Sequence, residues 1–283
     1  MSKSRLFVAA LVIHCLLGSR VGGSDLEVSI RPHARQVIFG DPLYVEVTIV
    51  NRGQAAVTAP SPDLTLGTFE LELYNPQTGL SVVPQDWGRG FGIPGQVRYE
   101  PGKPVKHYWI VFVPKLYRLK KDPFWKPVRK GGPIYLSGLY YLTRRLVLRS
   151  EGVDIGVQPR EREEVETLKR VMNEEPRPYF KGPHPAGLGI QIRPQLNRDA
   201  TVALAATVKS GELGDLLRLT IRLQDIYATP PEARDAENRA LIEWLNEQPE
   251  IKRRALAYEL RRICGSHHMT STAKALEELI SAP

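Results

Sequence analysis

The chain changes its hydrophobic period once, and that change limits what it can fold into. Across Ser137–Pro159 (SGLYYLTRRLVLRSEGVDIGVQP), residues alternate. Tyr140, Leu142, Leu146 and Leu148 share one face, with Arg144 the exception, and Tyr141, Thr143, Arg145 and Arg149 share the other. A period of two predicts a half-buried strand. Ser150-Glu151-Gly152 reads as a turn, and Val153, Ile155 and Val157 alternate again, which predicts a closing hairpin. Pro159, lacking an N–H, ends the ladder. From Arg160 to Glu175 the apolar residues Val165, Leu168 and Met172 fall three and four apart, the spacing of a helix face.

Upstream, strand patterns follow one another. Leu26–Arg31, Val37–Phe39, Leu43–Val50, Ala55–Ala59, Phe69–Tyr74, Leu80–Val83 and Val105–Val113 are separated by turn clusters such as Gly40-Asp41-Pro42 and Asn75-Pro76-Gln77-Thr78-Gly79. The cleanest alternation puts Leu43, Val45, Val47 and Ile49 inward and Glu46 and Thr48 outward. Downstream, a Pro/Gly-rich stretch from Pro176 to Pro194 predicts an extended connector. Helices are then predicted over 199–209, 213–226, 232–247, 249–263 and 273–280. The segment 213–226 is apolar on most sides and reads as the central helix. Ala233, Ala236, Ala240, Leu241, Trp244 and Leu245 are expected to form the buried stripe of the next one, and Ile251, Ala255, Leu256, Leu260 and Ile263 that of the helix after it.

The expected fold class is therefore α+β multidomain: an N-terminal antiparallel Ig-like β-sandwich over 24–159, a helix and connector over 160–194, and a C-terminal α-helical bundle over 195–283. The strand rhythm, the Ile49-Val50-Asn51-Arg52-Gly53 strand end and the Gly138-Leu139-Tyr140 spacing make residues 26–158 resemble the Ig-like or fibronectin-III-like domains that begin many secreted bacterial proteins. That resemblance implies a fold, with a tyrosine hydroxyl bonding back to backbone at a corner. It carries no active-site residues with it.

Residues 1–23 read as a signal peptide. Lys3 and Arg5 precede a 12-residue apolar run, Leu6–Leu17, and Val21-Gly22-Gly23 offers small residues for cleavage. The competing reading is a retained anchor, though the run is short for a bilayer span. A secreted or periplasmic location follows. Cys264 alone would survive cleavage, so the protein would stand on its core without a disulfide framework.

Charge is uneven. Residues 24–158 hold 17 basic and 12 acidic groups, and residues 159–283 hold 19 of each. Seven basic groups lie between Lys115 and Lys130 against Asp122 alone. There Lys120, Lys121, Lys126, Arg129 and Lys130 are interleaved with Phe124 and Trp125, which suits an anionic polymer and makes Lys120, Lys121, Trp125, Lys126, Arg129 and Lys130 the candidate binding residues. The internal alternative docks this loop on the helix carrying Glu161, Glu163, Glu164 and Glu166, with Phe124 and Trp125 packed between the domains. A second loop, Pro84–Pro104, carries Trp87, Phe91 and Tyr99 and reads either as a carbohydrate platform or as rings folded inward.

Cys264, His267 and His268 lack the second ligand pair a zinc site needs. No G-x-S-x-G, H-E-x-x-H or phosphate-binding glycine loop occurs. The expectation is an exported non-catalytic binding or scaffold protein of the cell envelope, with no cofactor, no metal and no nucleic acid, and protein or anionic glycan as partner. An adhesin-like binder of acidic glycan through 115–130 is the alternative, and a hydrolase without a recognisable motif is the alternative of another class. Converging carboxylates or a His–acid pair in a deep inter-domain cleft would favour the hydrolase.

Overall fold

The computed structural model describes residues 25–64, 66–82, 93–112, 124–143, 145–173, 198–209, 211–266 and 269–281. The expected signal segment, the Pro/Gly connector and most of the two loops at 84–92 and 113–123 lie outside these residues. The described residues are mixed α and β, with all their helices but one short turn at Trp125–Val128 gathered in the C-terminal half.

The strands are β1 (Leu26–Pro32), β2 (Gln36–Ile38), β3 (Pro42–Asn51), β4 (Val57–Pro60), β5 (Phe69–Asn75), β6 (Leu80–Val82), β7 (Gln96–Tyr99), β8 (Pro104–Phe112), β9 (Gly132–Tyr141), β10 (Val147–Arg149) and β11 (Val153–Gln158). They form three sheets. One is ordered β1-β3-β8, the second β2-β11-β9-β5-β6 with β10 on β9, and the third pairs β4 with β7. All pairings are antiparallel except β2 with β11. Inward residues of the first two sheets meet in one apolar cluster. Val28, Val45 and Val47 lie there with Phe69, Leu71, Leu136 and Ile155.

The closing hairpin differs from its expectation. The predicted strand from Tyr140 to Arg149 is cut at 142–146. The Leu142 N–H donates to the Leu146 carbonyl, and the Thr143 hydroxyl accepts from the N–H groups of Arg145 and Leu146. A threonine side chain that satisfies two backbone donors competes with the ladder and turns the chain. Val147–Arg149 then folds back on Leu139–Tyr141, and Val153–Val157 pairs with Gly132–Leu136 of β9, not with the segment just before it. Gly138 lies mid-strand. A Cβ there would stand 2.6 Å from the Phe69 ring, so only glycine lets that ring pack flat on β9. Two residues on, the Tyr140 hydroxyl donates to the Pro60 carbonyl and lies 3.2 Å from the Tyr99 hydroxyl.

The helices are α1 (Trp125–Val128), α2 (Arg162–Asn173), α3 (Arg198–Thr207), α4 (Gly211–Ala228), α5 (Arg234–Asn246), α6 (Glu250–Ser266) and α7 (Thr270–Ser281), with a 3-10 turn at Pro231–Ala233 before α5. Pro231 opens that turn where its missing N–H costs nothing. The stripe expected on α5 is rotated: Ala233 and Ala236 are exposed, and Asn238, Leu241 and Leu245 are buried. Asn238 is tolerated inside because Thr272 of α7 donates to its side-chain oxygen at 2.8 Å. The stripe on α6 is as expected, from Ile251 to Ile263.

α4 faces two cores. Leu213 and Leu217, one turn apart, join the β cluster through Leu204 and Val208. Leu216, Leu219, Leu223 and Ile226 join a second cluster, formed with α5, α6 and α7. That second cluster also takes in Tyr44, Tyr108 and Ile110, from the face of β3 and β8 turned away from the β cluster. This explains a departure from the alternation read in β3. Tyr44 and Glu46 occupy its outward positions, yet both are buried, because α6 lies over them. Burying a large side chain such as Tyr44 or Leu216 stabilises by roughly 1.5–3 kcal/mol each, so this layer of helices is held by packing.

Candidate functional site

Three of the buried charged groups, Asp41, Arg160 and Glu164, converge beside the starts of α2 and α4. The chain enters through Gly40, whose φ of 92° is open to glycine, into a turn closed by the Asp41 N–H on the Ile38 carbonyl. The turn aims the Asp41 carboxylate at the first residues of α4, 170 positions downstream. Asp41 accepts the N–H of Glu212 at 3.0 Å and of Leu213 at 3.2 Å. It thereby caps a helix to which it is not adjacent in sequence, satisfying donors that every helix start leaves open and placing negative charge at the positive end of the dipole. Gly211 sits at the contact with φ 73°, and a Cβ there would collide with the Asp41 carboxylate.

Arg160 completes this cluster. Its guanidinium is fully buried and fans out to three acceptors: the Phe39 carbonyl at 2.9 Å, the Glu164 carboxylate one turn into α2 at 2.7 Å, and Asp41. Glu164 in turn accepts the N–H of Lys209 at 2.9 Å. The planar fork of arginine suits this role, since one side chain satisfies backbone and two carboxylates at once. Burial raises the Asp41 carboxyl above its ordinary value, against the opposing pull of Arg160 and the two backbone donors.

A second cluster adjoins it. Glu212 lies 3.4 Å from Nε2 of His33 and 2.5 Å from the Lys252 ammonium, which also reaches Asp215 at 2.9 Å. Lys252 is nearly fully buried on the packed face of α6, and its ammonium lies 5.8 Å over the Tyr44 ring. Burial pushes the Glu212 and Asp215 carboxyls up, but hydrogen bonds and charge from Lys252, with His33 on Glu212 and Arg218 on Asp215, outweigh it and hold both below the usual range. Nδ1 of His33 accepts the Tyr44 N–H at 3.3 Å, so the ring hydrogen sits on Nε2 and points at Glu212.

Between the clusters lies a crevice of about 210 Å³ lined by His33, Gln36, Asp41, Gln158, Gly211 and Glu212. It does contain a His–acid pair, the combination general acid–base chemistry uses. The volume is below the roughly 300–1,000 Å³ of ordinary small-molecule sites. The His33 side chain is only 4% exposed, and Glu212 is held by Lys252. This is the geometry of a clamp between layers.

The sequence-predicted binding residues are only partly within view. Lys120 and Lys121 lie outside the described residues, as does the Trp125 side chain. Lys126 and Lys130 are exposed and Arg129 is half-buried, and among the described residues none of the three forms an ion pair. Phe124 and Val128 on the same segment are buried in the β cluster, and the Phe124 carbonyl accepts from Asn75 at 2.8 Å. The segment is thus anchored at the β5–β6 turn. Glu164, one of the acids proposed to receive it, is turned inward to Arg160 and the Lys209 N–H. From the second loop, Tyr99 is buried and Ile93 fully in solvent. Cys264 is buried and its thiol is pushed up to about 12 by burial; His267 and His268 lie outside the described residues. Among the described residues no helix is long and apolar enough to cross a membrane.

Sequence reading passed over His33, Asp41, Arg160, Gly211, Glu212 and Lys252. One signal was present: Lys252 interrupts the apolar face of α6 beside Ile251 and Ala255, and a charge on a buried face demands a partner.

No protein-family model matches this chain, and no curated protein matches it either. Solved structures align with about half of this chain at low similarity. The sporulation control protein Spo0M of Bacillus subtilis is 10% identical over 53% of this chain and 55% of its own, with a TM-score of 0.31. A CARDB domain from Pyrococcus furiosus, solved in complex with di-metal ions, is 13% identical over 47% of this chain and 87% of its own, with a TM-score of 0.26. A β-glucosidase of Listeria innocua is 14% identical over 47% of this chain and 16% of its own, at 0.28. At these values the likenesses assign neither family nor activity.

Proposed function

We propose that the chain is an exported, non-catalytic binding or scaffold protein of the cell envelope, secreted or periplasmic. In this reading residues 1–23 are a signal peptide, residues 24–159 an Ig-like sandwich, and residues 195–283 a helical bundle laid against one of its sheets. One observation carries the non-catalytic part: Asp41, Arg160 and Glu164 are bound to one another and to the start of α4, and buried Lys252 is bound to Glu212 and Asp215 of the same helix, fixing one layer on the next. Groups spent on holding geometry serve a rigid display surface better than proton transfer.

The test has two arms. Cell fractionation of the tagged full chain, with and without residues 1–23, is expected to place the intact form in the envelope and the truncated form in the cytoplasm; identical placement refutes export. A panel of ester, peptide and glycoside substrates is expected to give no turnover. Turnover abolished by Glu212→Gln in a folded protein would establish the hydrolase instead.

A second reading rests on the exposure of Lys126 and Lys130 beside the anchored Phe124: binding of acidic glycan through 115–130. Salt-dependent retention on an anionic polysaccharide column, lost in Lys126→Glu/Lys130→Glu at unchanged melting temperature, supports it. Equal retention of the two proteins removes it.

A further inference from the structure

α5 and α7 lie side by side and leave a groove of about 490 Å³ between them. Its α5 wall is one helix face, in which Asp235, Asn238, Arg239, Ile242 and Glu243 are spaced three and four apart; its α7 wall is Ser271, Ala275, Glu278 and Leu279, spaced likewise. The floor is apolar. Ile242, Ala275 and Leu279 are each only partly covered, although Ile242 and Leu279 also pack on the helical core. The rim is acidic: Asp235, Glu243 and Glu278 against Arg239 alone.

These charges are used differently from their neighbours. On the adjoining α6, Arg262 pairs with Glu259 and Arg254 with Glu250, and Arg261 reaches across to Glu277 of α7. Among the described residues, Asp235, Arg239, Glu243 and Glu278 take part in no ion pair. At the bottom, Asn238 spends its side-chain oxygen on Thr272, while among the described residues its amide N–H groups have only the Ser271 hydroxyl at 3.5 Å, which leaves donor capacity facing the groove.

We infer that this groove docks a basic amphipathic segment of a partner protein. Apolar side chains spaced i, i+3/i+4 and i+7 on such a segment would lie on Ile242, Ala275 and Leu279. Flanking Lys or Arg would meet Asp235, Glu243 and Glu278, and Asn238 would offer a donor to a polar side chain. The volume falls in the range of sites that enclose a few side chains. The inference rests on the binding-protein reading above and names the class of partner.

Fluorescence anisotropy with a labelled synthetic peptide of about 14 residues, Leu at helical spacing on one face and Lys on the other, titrated with the full chain, tests it. Saturable binding is expected. It should weaken about tenfold in Glu243→Lys/Glu278→Lys and about tenfold for a peptide of the same composition with scrambled spacing. Both glutamates are exposed, so the double variant is expected to keep the wild-type melting temperature. No binding, equal binding of the scrambled peptide, or full binding by the double variant overturns the inference. Sedimentation that reveals a dimer of the wild type, lost in the double variant, makes the occupant a second copy and overturns it as well. If cross-linking of the full chain in the envelope captures the same partner with wild type and double variant, the groove fails and the binding reading stands. Substrate turnover removes that reading itself.

Discussion

Arg160→Leu removes the cation at the centre of the interlayer clamp. The guanidinium is 0% exposed, and the side chains of Asp41 and Glu164 are 2% and 5% exposed, so water cannot replace it. Removing one member of a buried ion pair costs about 3–5 kcal/mol, because the charge left behind is uncompensated. Here Asp41 keeps two backbone donors and Glu164 keeps one, which places the expected loss at the lower end, about 3 kcal/mol. For a chain of this size that lowers the melting temperature by roughly 6–12 °C. The loss depends on pH in a defined direction. Burial already raises the Asp41 carboxyl in the wild type, and without Arg160 it rises further above its unfolded value. A group raised in the folded state costs stability as pH rises through that value, so the deficit is full at pH 7 and shrinks as acid neutralises Asp41. Circular dichroism melts and urea titrations at pH 7 and pH 4.5 measure both effects. Arg160→Lys, which keeps charge but loses the fork, should fall between the two proteins. A loss below about 1 kcal/mol at pH 7, or one of equal size at both pH values, would refute the clamp.

Two further perturbations probe the same architecture. Lys252→Met should cost about 2 kcal/mol at pH 7; since Lys252 holds Glu212 and Asp215 below their ordinary range, the wild-type advantage is present above the unfolded carboxylate values and is lost as pH falls through the folded ones, so the two proteins should converge only in acid below the ordinary carboxylate range. A gap that persists in acid would assign Lys252 to packing alone. Tyr140→Phe removes the donor to Pro60 and leaves the buried Tyr99 hydroxyl without its neighbour, and should cost about 1–2 kcal/mol in urea titration; an unchanged midpoint would show the pair to be incidental.

How much of this was legible depends on how local the cause is. β1, β3, β5 and β8 were readable because alternation is a property of consecutive residues. The α6 stripe was readable for the same reason at a different period. β7 was not: Gln96–Tyr99 does alternate, with Val97 and Tyr99 turned inward, but four residues are too short a run to stand out within a long loop, and the pairing with Thr58 and Ala59 of β4 is what makes it a strand. The stripe on α5 was misplaced by weighing alanines over Asn238. An alanine is equally at home inside and outside, while the burial of Asn238 is decided by Thr272 of α7. The reversal at Leu142–Leu146 was hidden because Leu142 and Leu146 keep the parity of one strand face, and one threonine hydroxyl decides otherwise.

The interlayer clamp was illegible for a deeper reason. Asp41 lies 119 positions from Arg160 and 171 and 172 from the Glu212 and Leu213 N–H groups it accepts, and each member alone has an ordinary explanation: Asp41 a turn residue, Arg160 a charge before a helix, Gly211 a helix start. Only the fold brings them together, and it does so because β3 carries large side chains on both faces. Tyr44 on its second face needs a cover, α6 supplies it, and the N-terminus of α4 is then carried to Asp41. An aspartate at that point satisfies a helix end that packing alone would leave bare, and a buried Asp41 requires Arg160. Each charge in the cluster is therefore explained by the burial that precedes it. The acidic residues around the α5–α7 groove have no such antecedent: they lie at the surface, pair with no described neighbour, and frame apolar side chains that remain partly uncovered. That contrast directs the search for a partner to the helical face and away from the crevice.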